Sequence, residues 1–191
     1  MRPLVAFLLG AGLALALPGT ALAQTPPNAL DRPIGLGVRA LTRAGDYALG
    51  GVGGQIRLHL HRRVSLEVFM DHLAGTESGL LRHDHEVGST LMVNLYRGRS
   101  WTLHPLLGAC ALVAVAHAPQ SEAVVNDIRF GLRAGLGAEW ALGRSFTLQA
   151  QGHVAAWLGH AFDVYHWTAD TRPTLSVRPA VQAVVSANYW F

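Results

Sequence analysis

The chain has 191 residues, half of them hydrophobic, with 15 cationic and 12 acidic side chains and a formal charge of +3 when His is neutral. That excess is too small to mark a nucleic-acid binder, and because every cation is Arg and none is Lys it builds no basic patch. Cys110 is the only cysteine, which excludes an intrachain disulfide and suits a small buried apolar residue.

Residues 1–23 read as a targeting segment. Arg2 gives a positive start, Leu4 to Leu17 form an apolar stretch, and Ala21-Leu22-Ala23 fits a cleavage site of the A-x-A type. The stretch ends at Pro18-Gly19, short of the ~20 residues a spanning helix needs. Gln24 is then the first mature residue, residues 24–33 are a Pro-rich lead, and residues 34–191 are long enough for one domain.

From Ile34 onward the pattern has a period of two, the period of strands. Eight segments are expected. Ile34 to Leu41 sets Ile34, Leu36, Val38 and Ala40 against Gly35, Gly37, Arg39 and Leu41. Val52 to His61 sets Val52, Ile56 and Leu58 against Gln55, Arg57 and His59, and its glycine pairs, Gly50-Gly51 and Gly53-Gly54, permit curvature. Val64 to Asp71 opposes Val64, Leu66, Val68 and Met70 to Ser65, Glu67, Phe69 and Asp71. Thr90 to Tyr96 is the fourth segment, and Trp101 to about Val115, apolar on both faces, is the fifth. Phe130 to Trp140 opposes Phe130, Leu132, Ala134 and Leu136 to Gly131, Arg133, Gly135 and Glu139. Phe146 to Val154 and Leu175 to Phe191 complete the set.

Three connections are tight, at His61 to Arg63, Arg97 to Ser100 and Leu142 to Ser145. Four are longer, at Thr42 to Gly51, Leu73 to Gly88, Ala116 to Arg129 and Leu158 to Thr174, and the two kinds alternate. Eight antiparallel strands joined this way put short turns on one rim and long loops on the other, as in outer-membrane barrels.

Alternation alone also fits a soluble barrel or a sandwich. The charged second face decides for an all-β, eight-stranded antiparallel transmembrane barrel. Arg39, Arg57, Arg133 and Arg178 recur there with Glu67, Asp71, Glu139 and amides, and inside a membrane barrel they must pair, because an uncompensated buried charge costs several kcal/mol. An internal ion-pair network is therefore expected. Trp101, Trp140, Phe146, Tyr189, Trp190 and Phe191 fall where one interfacial girdle would lie, with a looser set (Tyr47, Phe130, Trp157, Tyr165) near the other rim.

The ending VVSANYWF alternates up to a terminal phenylalanine and resembles the C-terminal signature of bacterial outer-membrane barrels. The segments FGLRAGLGAEWALG and WTLHPLLGACALV resemble strands of the small OmpA/OmpX-type and opacity-type barrel families. The resemblance implies an outer-membrane location, lipid as surroundings, and engagement of the barrel assembly machinery through the C-terminal strand. It implies an architecture and no particular activity.

No catalytic, cofactor-binding or metal site is assigned from the sequence, and no cofactor. His83-Asp84-His85-Glu86 reads as a solvated loop tip, and His59 and His61, two apart on a strand, lack a third and fourth ligand at defined spacing. Some eight-stranded barrels are lipid A deacylases with a His-x-Ser pair late in the chain; here that place reads His153-Val154-Ala155, and the acids beyond it, Asp163 and Asp170, lie in a loop. Ser176 and Ser186 carry no mark of a nucleophile. The expected role is structural or interactive, with loops presented outside the cell. A membrane-embedded lipid-modifying enzyme and a soluble periplasmic barrel holding an apolar ligand are the alternatives.

Overall fold

The computed structural model describes residues 29–45, 47–77, 80–98, 100–117, 124–160 and 175–191. The expected targeting segment lies outside them. Eight long strands follow one another: β1 (Ile34–Ala44), β2 (Ala48–His61), β3 (Val64–Glu77), β4 (Leu80–Val93), β5 (Trp101–His117), β6 (Val124–Ala141), β7 (Phe146–His160) and β8 (Leu175–Trp190). Each pairs antiparallel with the next. β1 also pairs with β8, from Gly35 opposite Trp190 to Ala44 opposite Val181, so the sheet closes with no free edge. In the turn between β4 and β5, Tyr96–Arg97 pairs with Leu103 and Thr102.

The alternation read from the sequence sets the faces. Ile34, Leu36, Val38, Val52, Ile56, Val68, Met70, Leu107, Phe130, Leu132, Leu136, Val154, Val181 and Val185 all point outward and are exposed. Arg39, Gln55, Arg57, Glu67, Asp71, Thr90, His104, Arg133, Glu139, Gln149 and Gln182 point inward and are buried. An eight-stranded barrel has a lumen just wide enough for its own side chains. Trp190, Arg57, Arg133, Phe69, Met92, His104, Gln149 and Gln182 fill it.

Three expectations change. Thr42 to Gly51 and Leu73 to Gly88 were expected to be long loops. Instead β1 and β2 continue in register to Ala44 opposite Ala48, and β3 and β4 to Glu77 opposite Leu80. Alternation fades in these stretches because outward positions become small or polar (Thr42, Ala44, Ala48, His72, Ala74) while Leu41, Leu49 and Leu73 face inward, and the hydrogen-bonded ladder runs on. The strands have 11 to 18 residues, more than the ~9–11 that cross a bilayer, so the surplus extends beyond the apolar zone. Of the other two expected loops, residues 118–123 and 161–174 lie outside the described residues.

The aromatic girdle is also smaller than expected. Trp101, Phe146, Tyr189 and Phe191 are exposed near the tight-turn rim, but Trp190 and Trp157 are buried in the lumen. A strand ending in three aromatics cannot turn all three outward: Tyr189 and Phe191 share one face, and Trp190 takes the other. Tyr47 lies near the opposite rim as expected, in the turn between Ala44 and Ala48, and there packs on the buried cluster of Leu41, Leu49, Leu73 and Val184. Tyr165 lies outside the described residues.

The lead is partly ordered as well. Ala29–Asp31 form one 3-10 turn, with Ala29 and Leu30 buried. Arg32 donates to the Trp190 carbonyl at 3.1 Å, and the His59 backbone N–H donates to Pro33 O at 2.9 Å. This segment is stitched to the rim where the chain ends.

Candidate functional site

The chemistry of this protein is concentrated in its lumen, and it is built by period two. On β1, Arg39 and Arg43 sit four residues apart on the inward face; on β2, Gln55 and Arg57 do the same two apart; on β3, Glu67 and Asp71 face them. Arg39 Nη1 lies 3.0 Å from Glu67 Oε1, and its Nε lies 3.1 Å from Asp71 Oδ1. Arg57 Nη1 lies 2.9 Å from Glu139 Oε1 and its Nε 3.6 Å from Glu67 Oε2. Glu67 also accepts from Gln151 Nε2 at 3.2 Å. One carboxylate thus ties β1, β2 and β7 to β3 across the lumen.

A second knot lies further from the tight-turn rim. Arg43 pairs with Asp84 at 2.7 Å and with Glu86, and Arg82 Nε donates to Asp84 Oδ1 at 2.6 Å. Arg133 reaches Glu86 at 3.5 Å and stacks its guanidinium over the Phe69 ring at 3.7 Å, while Arg43 covers Trp157 at 4.8 Å. The aromatic and apolar neighbours, Phe69, Cys110, Leu112, Ala155, Trp157 and Ala180, form one buried cluster. That cluster explains why the middle of β5 is apolar on both faces: Cys110 and Leu112 are the inward residues that it contributes.

Close to the tight turns the lumen is a ladder of hydroxyl, amide and indole groups that leads to the Glu139 carboxylate. Asn188 Nδ2 and Trp190 Nε1 both donate to Thr147 Oγ1, Thr147 donates to Glu139 at 2.6 Å, and Ser186 donates to Gln149 Oε1 at 3.0 Å. Trp190 stacks on His59 with 4.3 Å between centroids and 12° between planes. Room for this packing comes from glycine. A Cβ on Gly53 would collide with the Asp71 carboxylate and the Met70 carbonyl, so only glycine lets Arg39 and Asp71 meet there.

The expected network is therefore present, and larger than expected. Arg39, Arg57, Glu67, Asp71, Arg133 and Glu139 belong to it. Arg178 is half-buried at the cleft lined by Arg43, Tyr47, Arg129 and Trp157. Arg43, Arg82, Asp84 and Glu86 were missed, because their segments read as loops. His83-Asp84-His85-Glu86 is not a loop tip. It lies on β4, with Asp84 and Glu86 inside and both His outside. Continuing the two-residue count from Thr90 back to Arg82 would have found both acids.

The other singled-out residues do not converge. His59 is half-buried with Nδ1 2.7 Å from Arg32 O, whereas His61 is exposed beyond a register shift. His153 is buried in the lumen beside Gln182 and points away from lipid. Ser186 is committed to Gln149 and Gln55. Asp163 and Asp170 lie outside the described residues, and so does the side chain of Ser176. Among the described residues no group of three or more His, Cys, Asp or Glu side chains is arranged to hold a metal ion.

The whole barrel finds its counterparts among solved structures. It matches Neisserial surface protein A with a TM-score of 0.50 at 12% identity, over 83% of this chain and 96% of the other. It matches a major outer membrane protein of Thermus thermophilus with a TM-score of 0.54 at 10% identity, over 83% of this chain and 99% of the other. The fold is that of the small outer-membrane β-barrels. No protein-family model matches the sequence, and no curated protein matches it.

Proposed function

We propose that the chain is exported, cleaved after Ala23, and resides in the bacterial outer membrane as an integral barrel with a structural and surface-presenting role. The supporting observation is the inversion of polarity: charges fill the inside and a continuous apolar belt covers the outside. Val38, Met70, Val52 and Leu107 are each at least 65% exposed on that belt. A soluble monomer rarely shows a contiguous apolar patch above a few hundred Å², and burying apolar area is worth about 25 cal/mol per Å². Hydrocarbon removes the penalty. The same inversion disfavours a soluble carrier, because a lumen packed with Arg, Glu and Gln offers an apolar ligand no cavity.

The Thermus protein of like fold is an outer membrane protein and the Neisserial one a surface protein, which agrees with this placement. We assign no catalytic role, since His153 faces the lumen where lipid cannot reach it. The test is fractionation of cells that make the protein. It should follow the outer membrane, need detergent for release, and change gel mobility on heating; recovery in the soluble periplasmic fraction would refute the placement. The partner reading, entry through the assembly machinery by way of β8, is tested by deleting Phe191. Insertion should fall, and unchanged insertion would remove that role.

A further inference from the structure

The extension of β3 and β4 past the expected loop brings together histidines that the sequence keeps apart. His72 and His85 are directly opposed in the ladder, both on the outward face and both exposed. Their Nδ1 atoms are 3.3 Å apart. Their rings are 4.6 Å apart between centroids, and the ring of His83, two residues along the same face of β4, stacks on His72 at 5.5 Å. Laterally the pair is flanked by Val52 on β2 and Val113 on β5, both exposed and apolar. Two imidazoles are thus set at the upper border of the apolar belt, on the side away from the tight turns.

We propose that His72 and His85 form a bidentate site for a borderline divalent transition-metal ion such as Zn²⁺, Ni²⁺ or Cu²⁺, taken from the medium at the membrane interface. The spacing carries the argument. Two Zn–N bonds of about 2.05 Å to nitrogens 3.3 Å apart enclose an angle of about 107°, close to tetrahedral. The neutral imidazole prefers these metals to Mg²⁺ or Ca²⁺, which take oxygen ligands. His72 and His85 are both exposed at the border of the belt, so the remaining coordination positions face outward from the barrel. His83 stacks on His72; two protein ligands make this a capture site and not a closed structural one.

The test is calorimetric titration of the tag-free, detergent-purified protein with Zn²⁺, and separately with Ni²⁺. One ion per chain should bind. His72→Asn and His85→Asn should each weaken binding at least tenfold, while His61→Asn, at the opposite rim, should leave it unchanged. All three variants should keep the heat-dependent mobility shift of the folded barrel, since these side chains are exposed. For Cu²⁺, electron paramagnetic resonance should report nitrogen ligation that is lost in the His72→Asn/His85→Asn double variant. Absence of binding, or binding that survives both substitutions, would overturn the site and leave the pair as a hydrogen-bonded surface contact.

Discussion

Arg39 and Glu67 meet across the lumen, over the strand that separates them in the sheet, with Nη1 3.0 Å from Oε1 and both side chains fully buried. Glu67 is shared with Arg57 and Gln151, so it is the point where four strands are tied. Removing one partner of a buried pair leaves the other charge uncompensated, at a cost of ~3–5 kcal/mol. Glu67→Ala should therefore destabilise the folded barrel by that order in urea unfolding in detergent, and Arg39→Met should do nearly the same. The double variant should cost less than the sum of the two, which a double-mutant cycle reads directly.

Arg133 makes a contrasting case. Among the described residues its one ion pair is at 3.5 Å, and its guanidinium lies over Phe69. Taking a cation out of water costs several kcal/mol, which a single contact at 3.5 Å offsets poorly, so an apolar side chain of similar length removes that cost. Arg133→Met should shift stability by no more than ~1 kcal/mol, because Glu86 keeps Arg43. A loss as large as that of Arg39→Met would show that the long contact contributes more than its geometry allows.

Two glycines on opposite faces predict opposite responses. A Cβ at Gly53 runs into Asp71 and the Met70 carbonyl, whereas at Gly152, on the outward face, nothing lies within 4 Å. Gly53→Ala should destabilise by ~1–3 kcal/mol through overpacking. Gly152→Ala should be neutral or mildly stabilising, since alanine lowers the entropy of the unfolded chain by ~0.4–1 kcal/mol. Equal effects in equilibrium unfolding would contradict the assignment of faces.

Trp190 fills the tight-turn end of the lumen. It is fully buried, stacks on His59 and donates to Thr147 at 3.0 Å. Trp190→Ala should cost ~3–5 kcal/mol. The same truncation at Tyr189, which is exposed beside Phe146 and Phe191, should cost clearly less in detergent, where the micelle replaces what the ring touches.

Much of this was legible in the sequence because a barrel writes its faces with a period of two. Arg39, Arg57, Glu67, Arg133 and Glu139 could be put inside from their apolar neighbours alone. The pattern breaks at Thr42 and Leu73, where outward positions become small or polar (Thr42, Ala44, His72, Ala74) while leucines face inward (Leu41, Leu49, Leu73), so alternation of hydrophobicity is lost although alternation of direction persists. Arg43, Arg82, Asp84 and Glu86 were lost for that reason, and so was the pairing of His72 with His85, which depends on a register that no single strand encodes. Trp190 was misplaced because aromatic composition near an interface says nothing about which neighbour faces in.

The claim on which everything rests is that the apolar face looks into hydrocarbon. Leu132, 60% exposed at the middle of β6, offers a simple challenge: Leu132→Arg should cost ~2–4 kcal/mol in a bilayer, whereas on a surface in water it would be close to neutral. The most direct measurement is site-directed spin labelling at 130, 132, 134 and 136, in a Cys110→Ala background reconstituted in lipid. All four labels should be relaxed strongly by dissolved oxygen and weakly by a water-soluble paramagnetic complex, with the oxygen effect greatest toward the middle of the run. Strong relaxation of these labels by the water-soluble complex would place the face in water and contradict the account.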